Sequence, residues 1–344
     1  MKLRQWIAFG LVSVLLLTGC SKGETPQGTQ TENISGETVL TVNGEAVMMG
    51  ELQYYIYRTA MTELYQENPD FDGDLSKVNW KKKTDSGKSL EDTIMEDAIE
   101  SIIGDVLAVQ QGKALGVELS AGDLKTMDDS IYQLIEKYGE DGFLQNMQAM
   151  GIGSKEAYHK QYEREMLIPK IREDFAANEE KYLGEFASAI KEYRTDNRAR
   201  VQHILLLSEG GKYDDPESAI KQVWEMAKSG EDFAKLMETY NEDPGATAQG
   251  YDFGPGEMVT EFEEASFALE IGAISEPVKT SYGYHIIKRL IGFGEMQKYW
   301  ISQASVARFD DVINENSVPD ILNQIKEKQT EIQEQNKSNA SKGE

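Results

Sequence analysis

Arg200-Val201-Gln202-His203-Ile204-Leu205-Leu206-Leu207 is a strand-like run in a chain whose pattern is helical on either side, and it marks where a second kind of fold begins. Its β-favouring and apolar residues, ending in Ile204 to Leu207 and bounded by the Gly-rich acidic loop over 208–216, read as a strand. Helical patterns follow over 218–228, where Ala219, Val223 and Ala227 share a face and Gly230 is the stop, and then over 232–240 and 261–269. Two β-rich runs, 277–280 and 284–290, flank Ser281-Tyr282-Gly283. The order β, α, α, turn, α, β, β within about 92 residues predicts an α+β unit with a small, mostly antiparallel sheet.

On the N-terminal side, residues 51–190 are nearly all helical in pattern. Before them, Asn43-Gly44 supplies two positive-φ residues between Val39-Leu40-Thr41-Val42 and Glu45-Ala46-Val47, which predicts a β-hairpin with a type I′ turn. Apolar residues recur at helical spacing over 51–67 (Leu52, Tyr55, Ile56, Ala60) and over 90–114 (Ile94, Ala98, Ile102, Val106), with Gly116 as a C-terminal stop. Ser120 and Asp123 mimic a capping box ahead of a helix to residue 138, a short helix fits 141–150, and Ser154 opens a long charged helix toward residue 181. His159 on that helix reads as solvated. Tyr54, Tyr57, Met61, Met147 and Met150 read either as core and rim or as the lining of a groove for unfolded chains, since Met and aromatic side chains adapt to varied apolar partners.

On the C-terminal side, residues 297–333 return to polar, helical composition, which predicts a last helix that packs back on the first region. The division is therefore a helical domain over 38–195, an α+β insert over 196–293, a C-terminal helix over 294–333 completing the helical domain, and a disordered tail over 334–344.

The 344 residues carry 35 Lys and Arg against 60 Asp and Glu, a formal net charge of −25. So acidic a chain repels phosphate backbones, and no nucleic-acid partner is expected. The single cysteine, Cys20, excludes an intramolecular disulfide and a multi-cysteine metal cluster within one chain. It ends a segment with Lys2 and Arg4 ahead of a 12-residue apolar run over 6–17. That is a secretory signal, too short to span a bilayer, which takes ~20 apolar residues. Leu17-Thr18-Gly19-Cys20 resembles the lipobox of bacterial lipoproteins. This implies a signal peptide over 1–19, lipidation of Cys20, and a flexible linker over 20–37 that tethers the body outside the cell membrane.

Within the insert, His203-Ile204-Leu205, Gly230-Glu231-Asp232-Phe233-Ala234, Asn241-Glu242-Asp243-Pro244-Gly245, Gly256-Glu257-Met258-Val259, Phe262-Glu263-Glu264-Ala265-Ser266-Phe267-Ala268-Leu269, Ile274-Ser275-Glu276-Pro277-Val278-Lys279-Thr280 and Gly283-Tyr284-His285-Ile286-Ile287 resemble, in family order, the parvulin peptidyl-prolyl isomerases. With the lipobox and the helical flanks, the architecture looks like that of PrsA-type foldase lipoproteins. The fold class implied is α+β: a mainly helical, SurA-like chaperone domain formed by the N- and C-terminal segments, with an inserted parvulin-like domain. The partners implied are unfolded or partly folded exported proteins, with the membrane reached through the lipid on Cys20. The apolar stripes of the helical region are compatible with a homodimer.

An X-Pro bond isomerises over a barrier of ~20 kcal/mol. Twisting the amide removes its resonance, so the carbonyl loses negative charge and the prolyl nitrogen gains a lone pair. A pocket that grips the ring and strips water from the carbonyl disfavours the planar form, and neither a cofactor, a metal nor a covalent step is needed. The resemblance implies Met258 and Phe262 for the proline pocket, and His203 and His285 for a histidine pair. It places Asp243 near the substrate carbonyl and gives Thr280 a hydroxyl bonded to that pair. Read without the family, Asp243 suits a turn before Pro244-Gly245, and Met258 and Phe262 suit a core. The run 250–258 is about three residues shorter than the family's, and Phe253 in it replaces either the leucine or the phenylalanine of the pocket wall. The acidic loop over 208–215 lacks the paired arginines of phosphate-specific relatives, so phosphoserine-proline selectivity is not expected.

Two function classes follow. In one, the chain is a prolyl isomerase that also holds unfolded exported proteins. In the other, it is a non-catalytic holdase whose parvulin unit is a peptide-binding platform. The presence of His203, Asp243 and His285 together favours the first, and the shortened run favours the second. A solute-binding lipoprotein would need two α/β lobes about a cleft, which the pattern lacks.

Overall fold

The computed structural model describes residues 36–183, 190–195 and 198–342. The segment expected to be a signal peptide, Cys20 and nearly all of the expected linker lie outside the described residues. The hairpin forms as expected, β1 (Thr38–Val42) against β2 (Glu45–Met48), because Asn43 and Gly44 take φ of 52° and 86°. Helices α1 (Met49–Glu67), α2 (Leu90–Ala114), α3 (Ala121–Gln148), α4 (Lys155–Ala177) and α5 (Glu179–Leu183) follow. The Ser120 hydroxyl and Asp123 carboxylate close a reciprocal cap on α3. At Gly139 the backbone turns to φ 73°, so α3 is two helices meeting at a kink. Glu51, fully buried at the start of α1, accepts from Met48 N–H at 3.0 Å and pairs with Arg164 of α4 at 2.6 Å. This buried carboxylate pins the two helices together. His159, on α4, is half-buried.

The C-terminal segment differs from the expected single helix. It runs through α9 (Phe293–Gln303), β7 (Val306–Arg308), α10 (Asp310–Asn314) and α11 (Val318–Lys342). β7 adds to the free edge of β1, so the first sheet has the order β2-β1-β7 and is closed by residues far apart in sequence. Helix α11 continues to Lys342 through most of the stretch read as a disordered tail. Its apolar residues Val318, Ile321, Leu322 and Ile325 recur at helical spacing and share one core with Leu52, Ile56, Ile94, Ile102, Met296 and Trp300. Burying each of these side chains contributes about 1.5–3 kcal/mol, so this shared core is what binds the two ends of the chain.

Between α5 and α9 lies the insert: β3 (Ala199–Leu207), α6 (Pro216–Lys228), α7 (Phe233–Tyr240), β4 (Tyr251–Phe253), α8 (Thr260–Ala268), β5 (Val278–Lys279) and β6 (Gly283–Leu290). Its sheet is antiparallel throughout, in the order β4-β3-β6-β5. β4 adds a strand to those expected from the sequence, since three residues are too few to show a period. Side chains alternate across β3 and β6. Ile204, Leu206 and Ile286 face α6 and α7, while Val201 and Ile287 pack with Phe253 and Phe262 on the α8 side.

Two buried arginines hold the junctions. Arg289, fully buried on β6, pairs with Glu295 of α9 at 2.7 Å and donates to the carbonyl of Arg198. Arg200 on β3 pairs with Glu179 at 2.8 Å and donates to the carbonyls of Ala176, Gln249 and Ile291. No helix among the described residues is long and apolar enough to cross a membrane.

Candidate active site

The register of β3 against β6 pairs His203 with Ile287 and Leu205 with His285. Opposed residues of an antiparallel ladder share a face, so His203 and His285 lie diagonally on the α8 side, and their rings are 5.5 Å apart. Phe262 of α8 stands edge-on to both, 5.2 Å from His203 and 5.3 Å from His285. The pair and this ring are nearly shut off from solvent, at 3 %, 5 % and 4 % exposure.

Asp243 arrives from the other side. The segment that carries it is laid along β3 by its two predecessors: Asn241 Oδ1 accepts from Leu205 N–H at 2.8 Å, and the Glu242 carboxylate accepts from Leu207 N–H at 2.7 Å. Asp243 is thereby set 3.1 Å from Nε2 of His203. Asp243 also closes a turn, because its other carboxylate oxygen accepts from Gly245 N–H at 2.9 Å. One side chain does both.

Burial lowers the pKa of His203, a shift only partly opposed by the Asp243 charge. His285 is pushed down to about 3 by burial and by the neighbouring His203, against a smaller opposing effect of Asp243. Both rings are therefore neutral near pH 7. The His203–Asp243 contact is a hydrogen bond from a neutral imidazole N–H to a carboxylate, and Nδ1 of His203 is left as an acceptor. Thr280 bonds Nε2 of His285 at 2.9 Å, and its hydroxyl oxygen accepts from Tyr282 N–H at 3.1 Å. Both Nδ1 atoms are buried without a partner among the described residues. Unsatisfied buried polar atoms are costly, and two of them lie here side by side on one face of the sheet.

Of the pocket residues named from the sequence, Phe262 and the half-buried Met258 pack in one cluster with the sheet. Phe253 is 1 % exposed and lies behind Phe262, ring centroids 6.0 Å apart, with Phe267 on its other side. It lies beneath Phe262 and supports that ring. The place beside the histidine is taken by Tyr251, a residue without a role in the sequence motifs. Its ring stacks on His203 at 5.4 Å and 19°, and its hydroxyl donates to Asp243 at 3.2 Å. Gly250 makes this register: φ is 78°, and a Cβ there would come 2.5 Å from the Val201 carbonyl oxygen. Asn241 and Glu242 fall within a motif of the resemblance but with no role given by it, and what they and Tyr251 do depends on β3 lying beside them.

Among the described residues, no group of three or more His, Cys, Asp or Glu is placed to hold a metal ion. A buried apolar floor, a neutral histidine pair and one carboxylate at the rim suit a reaction that reshapes an amide without breaking a bond.

Residues 203–290 match the PPIC-type PPIase domain, the rotamase family, and this stretch of the chain is a parvulin-class peptidyl-prolyl isomerase domain. Beyond it, the chain is 28% identical over 290 residues to the foldase protein PrsA of Caldanaerobacter subterraneus, an alignment that spans 83% of this chain and 81% of that protein. It is 39% identical over 150 residues to the foldase protein PrsA of Geobacillus kaustophilus, covering 39% of this chain and 50% of that one. The chain thus spans about half the length of the second relative. The crystal structure of PrsA from Bacillus cereus is 25% identical, over 72% of this chain and 90% of that one, with a TM-score of 0.24.

Proposed function

We propose that the protein is an extracytoplasmic foldase, anchored by lipid on Cys20, which isomerises X-Pro bonds in exported proteins and holds them while they fold. The observation that carries the reading is the coincidence, on one face of one sheet, of a His203–Asp243 hydrogen bond, a Thr280–His285 hydrogen bond and the Phe262 ring that both histidines touch. In this scheme the prolyl ring sits against Phe262 and Met258. The substrate carbonyl faces the Asp243 side, where a negative charge disfavours the planar amide, whose oxygen is the more negative. Burial holds both histidines below the ordinary imidazole pKa, so they serve here as neutral rings. They orient Asp243 and keep the floor dry.

Anchoring rests on the Leu17-Thr18-Gly19-Cys20 motif, and client holding on the helical domain, whose names among relatives are those of foldases. The test is acceleration of cis-trans exchange in short X-Pro peptides by the full chain and by Asp243→Ala. Acceleration that falls roughly tenfold to a hundredfold in a folded variant supports the scheme. No acceleration in any X-Pro series by a folded chain, or an unchanged rate in the variant, would overturn it.

A further inference from the structure

The strand that carries Tyr251, β4, sits at the edge of its sheet and meets β3 through three residue pairs: Ala199 with Phe253, Arg200 with Asp252 and Val201 with Tyr251. In an antiparallel ladder only alternate pairs exchange hydrogen bonds, so three pairs fix the strand weakly. Side chains of β3 supply the rest. Gln202 Nε2 donates to the Ala248 carbonyl at 2.6 Å, and Arg200 Nε donates to the Gln249 carbonyl at 2.8 Å. Gly250 N–H closes the turn on the Thr247 carbonyl at 3.0 Å. Tyr251 is the next residue, so the place of its ring on His203 and of its hydroxyl on Asp243 is set by that turn. Arg200 and Gln202 alternate with His203 along β3, so neither lies on the face that carries the histidines.

The other donors of Arg200 point out of the insert. Nη1 donates to Glu179 Oε2 of α5 at 2.8 Å and to the Ile291 carbonyl at 3.0 Å, and Nη2 donates to the Ala176 carbonyl at the end of α4 at 3.2 Å. The guanidinium carbon lies 5.5 Å from the centre of the Phe175 ring, which is buried in the helical core against Phe293. A guanidinium is planar and its N–H groups diverge in fixed directions, so one of these bonds cannot turn without disturbing the others. At 5 % exposure of the side chain, water has little room to replace a lost partner. We propose that Arg200 is a positioning residue for isomerisation: α4 and α5 fix its guanidinium, the guanidinium fixes Gln249, and Gln249 fixes Tyr251 against His203 and Asp243. The helical domain thereby sets the geometry of the isomerase site. The inference rests on the site reading above, in which Asp243 acts at the substrate carbonyl.

The test uses the full chain with Glu179→Ala, Glu179→Gln and, on the same helix, Glu180→Ala, whose side chain is exposed. Glu179 is 28 % exposed on a helix of five residues, so its truncation leaves the fold in place. Rates are measured on a short X-Pro peptide, below the melting transition of each protein. Glu179→Ala lowers kcat about fivefold with KM nearly unchanged, since the loss is in the alignment of Tyr251 and Asp243 and not in the proline pocket. Glu179→Gln, whose amide oxygen still accepts from the guanidinium, recovers most of the rate, and Glu180→Ala matches the parent. The Tyr251 ring lies over His203, so its ring current shifts the imidazole protons, and in Glu179→Ala those NMR resonances move toward their positions in Tyr251→Ala. A bond that served stability alone would lower the melting temperature and leave kcat and the His203 resonances where they are. That result in Glu179→Ala, or a fall in kcat with the His203 resonances unmoved, overturns the proposal. If Asp243→Ala still slows the reaction in that case, the reading of the site stands and only the role of Arg200 falls. A folded parent chain with no acceleration of X-Pro exchange removes both.

Discussion

His285 offers a quantitative test of the site's electrostatics. Its pKa falls from 6.5 to about 3 in the folded chain, first because it is buried and second because His203 lies beside it. The unfolded chain therefore takes up a proton at this position that the folded chain refuses, and stability from this group is complete above pH 6.5 and is lost as pH falls toward 3. Linkage between these two values gives a loss of about 2 kcal/mol between pH 7 and pH 5, rising to about 5 kcal/mol below pH 3. His203, lowered in the same direction, adds to the loss. The 60 acidic residues titrate over part of this range too, so the informative quantity is a difference between variants. In urea unfolding at pH 7 and pH 5, His285→Gln loses about 2 kcal/mol less on acidification than the parent chain does. Proton NMR of the imidazole, assigned through the same variant, shows no ionisation of His285 from pH 8 to pH 5. Isomerase activity is correspondingly flat over that interval. A His285 resonance that titrates with a midpoint between 6 and 7, or equal acid losses in the two proteins, would refute the burial argument and with it the neutral pair.

Three further outcomes follow from named contacts. Glu295→Ala strands the fully buried guanidinium of Arg289 and costs about 3–5 kcal/mol in thermal or urea unfolding, and pairing it with Arg289→Met recovers much of that loss. A single variant within 1 kcal/mol of the parent, about the scale of an exposed pair, would show that this pair is solvated. Gly250→Ala forces a positive φ on a residue with a Cβ and presses it against the Val201 carbonyl, so it lowers stability by about 2 kcal/mol and weakens the isomerase by moving Tyr251 off His203. Full activity with an unchanged melting temperature would count against the clamp. Tyr251→Phe keeps the ring stack, loses the hydrogen bond to Asp243, and lowers kcat more than it raises KM for a short X-Pro peptide.

Much of the helical domain is open to reading because its causes are local. Asn43-Gly44 takes positive φ whatever surrounds it, Ser120 caps α3 through its own chain, and the spacing of Ile94, Ala98 and Ile102 reports a buried face at any place in the fold. The histidines and Asp243 are legible for another reason, since they lie in motifs that resemble a family's. What the sequence left dark depends on distant partners. β4 and β7 are three residues each, and only an open strand edge made by other residues turns them into strands. The tail over 334–342 is polar enough to read as disorder, and it continues a helix whose start is anchored by Val318 to Ile325 in a core built from α1, α2 and α9.

The active site divides in the same way. The residue types and the chemistry they suit come from the sequence: two histidines on strand residues, a carboxylate before Pro-Gly, aromatic residues on a short helix. That His203 and His285 share a face follows from the register of two strands 82 positions apart in the chain, and that Asp243 reaches one of them follows from Asn241 and Glu242 docking on β3. Tyr251 and Phe253 are two residues apart on one strand, yet one clamps a histidine at the rim and the other is sealed beneath Phe262. Residue type and local spacing determine which groups are available and which segments become helix or hairpin, because those preferences act within a few residues. Which groups meet, which are dried, and which nitrogen loses its proton are decided by the packed structure, because dielectric and hydrogen-bond partners are properties of the surroundings.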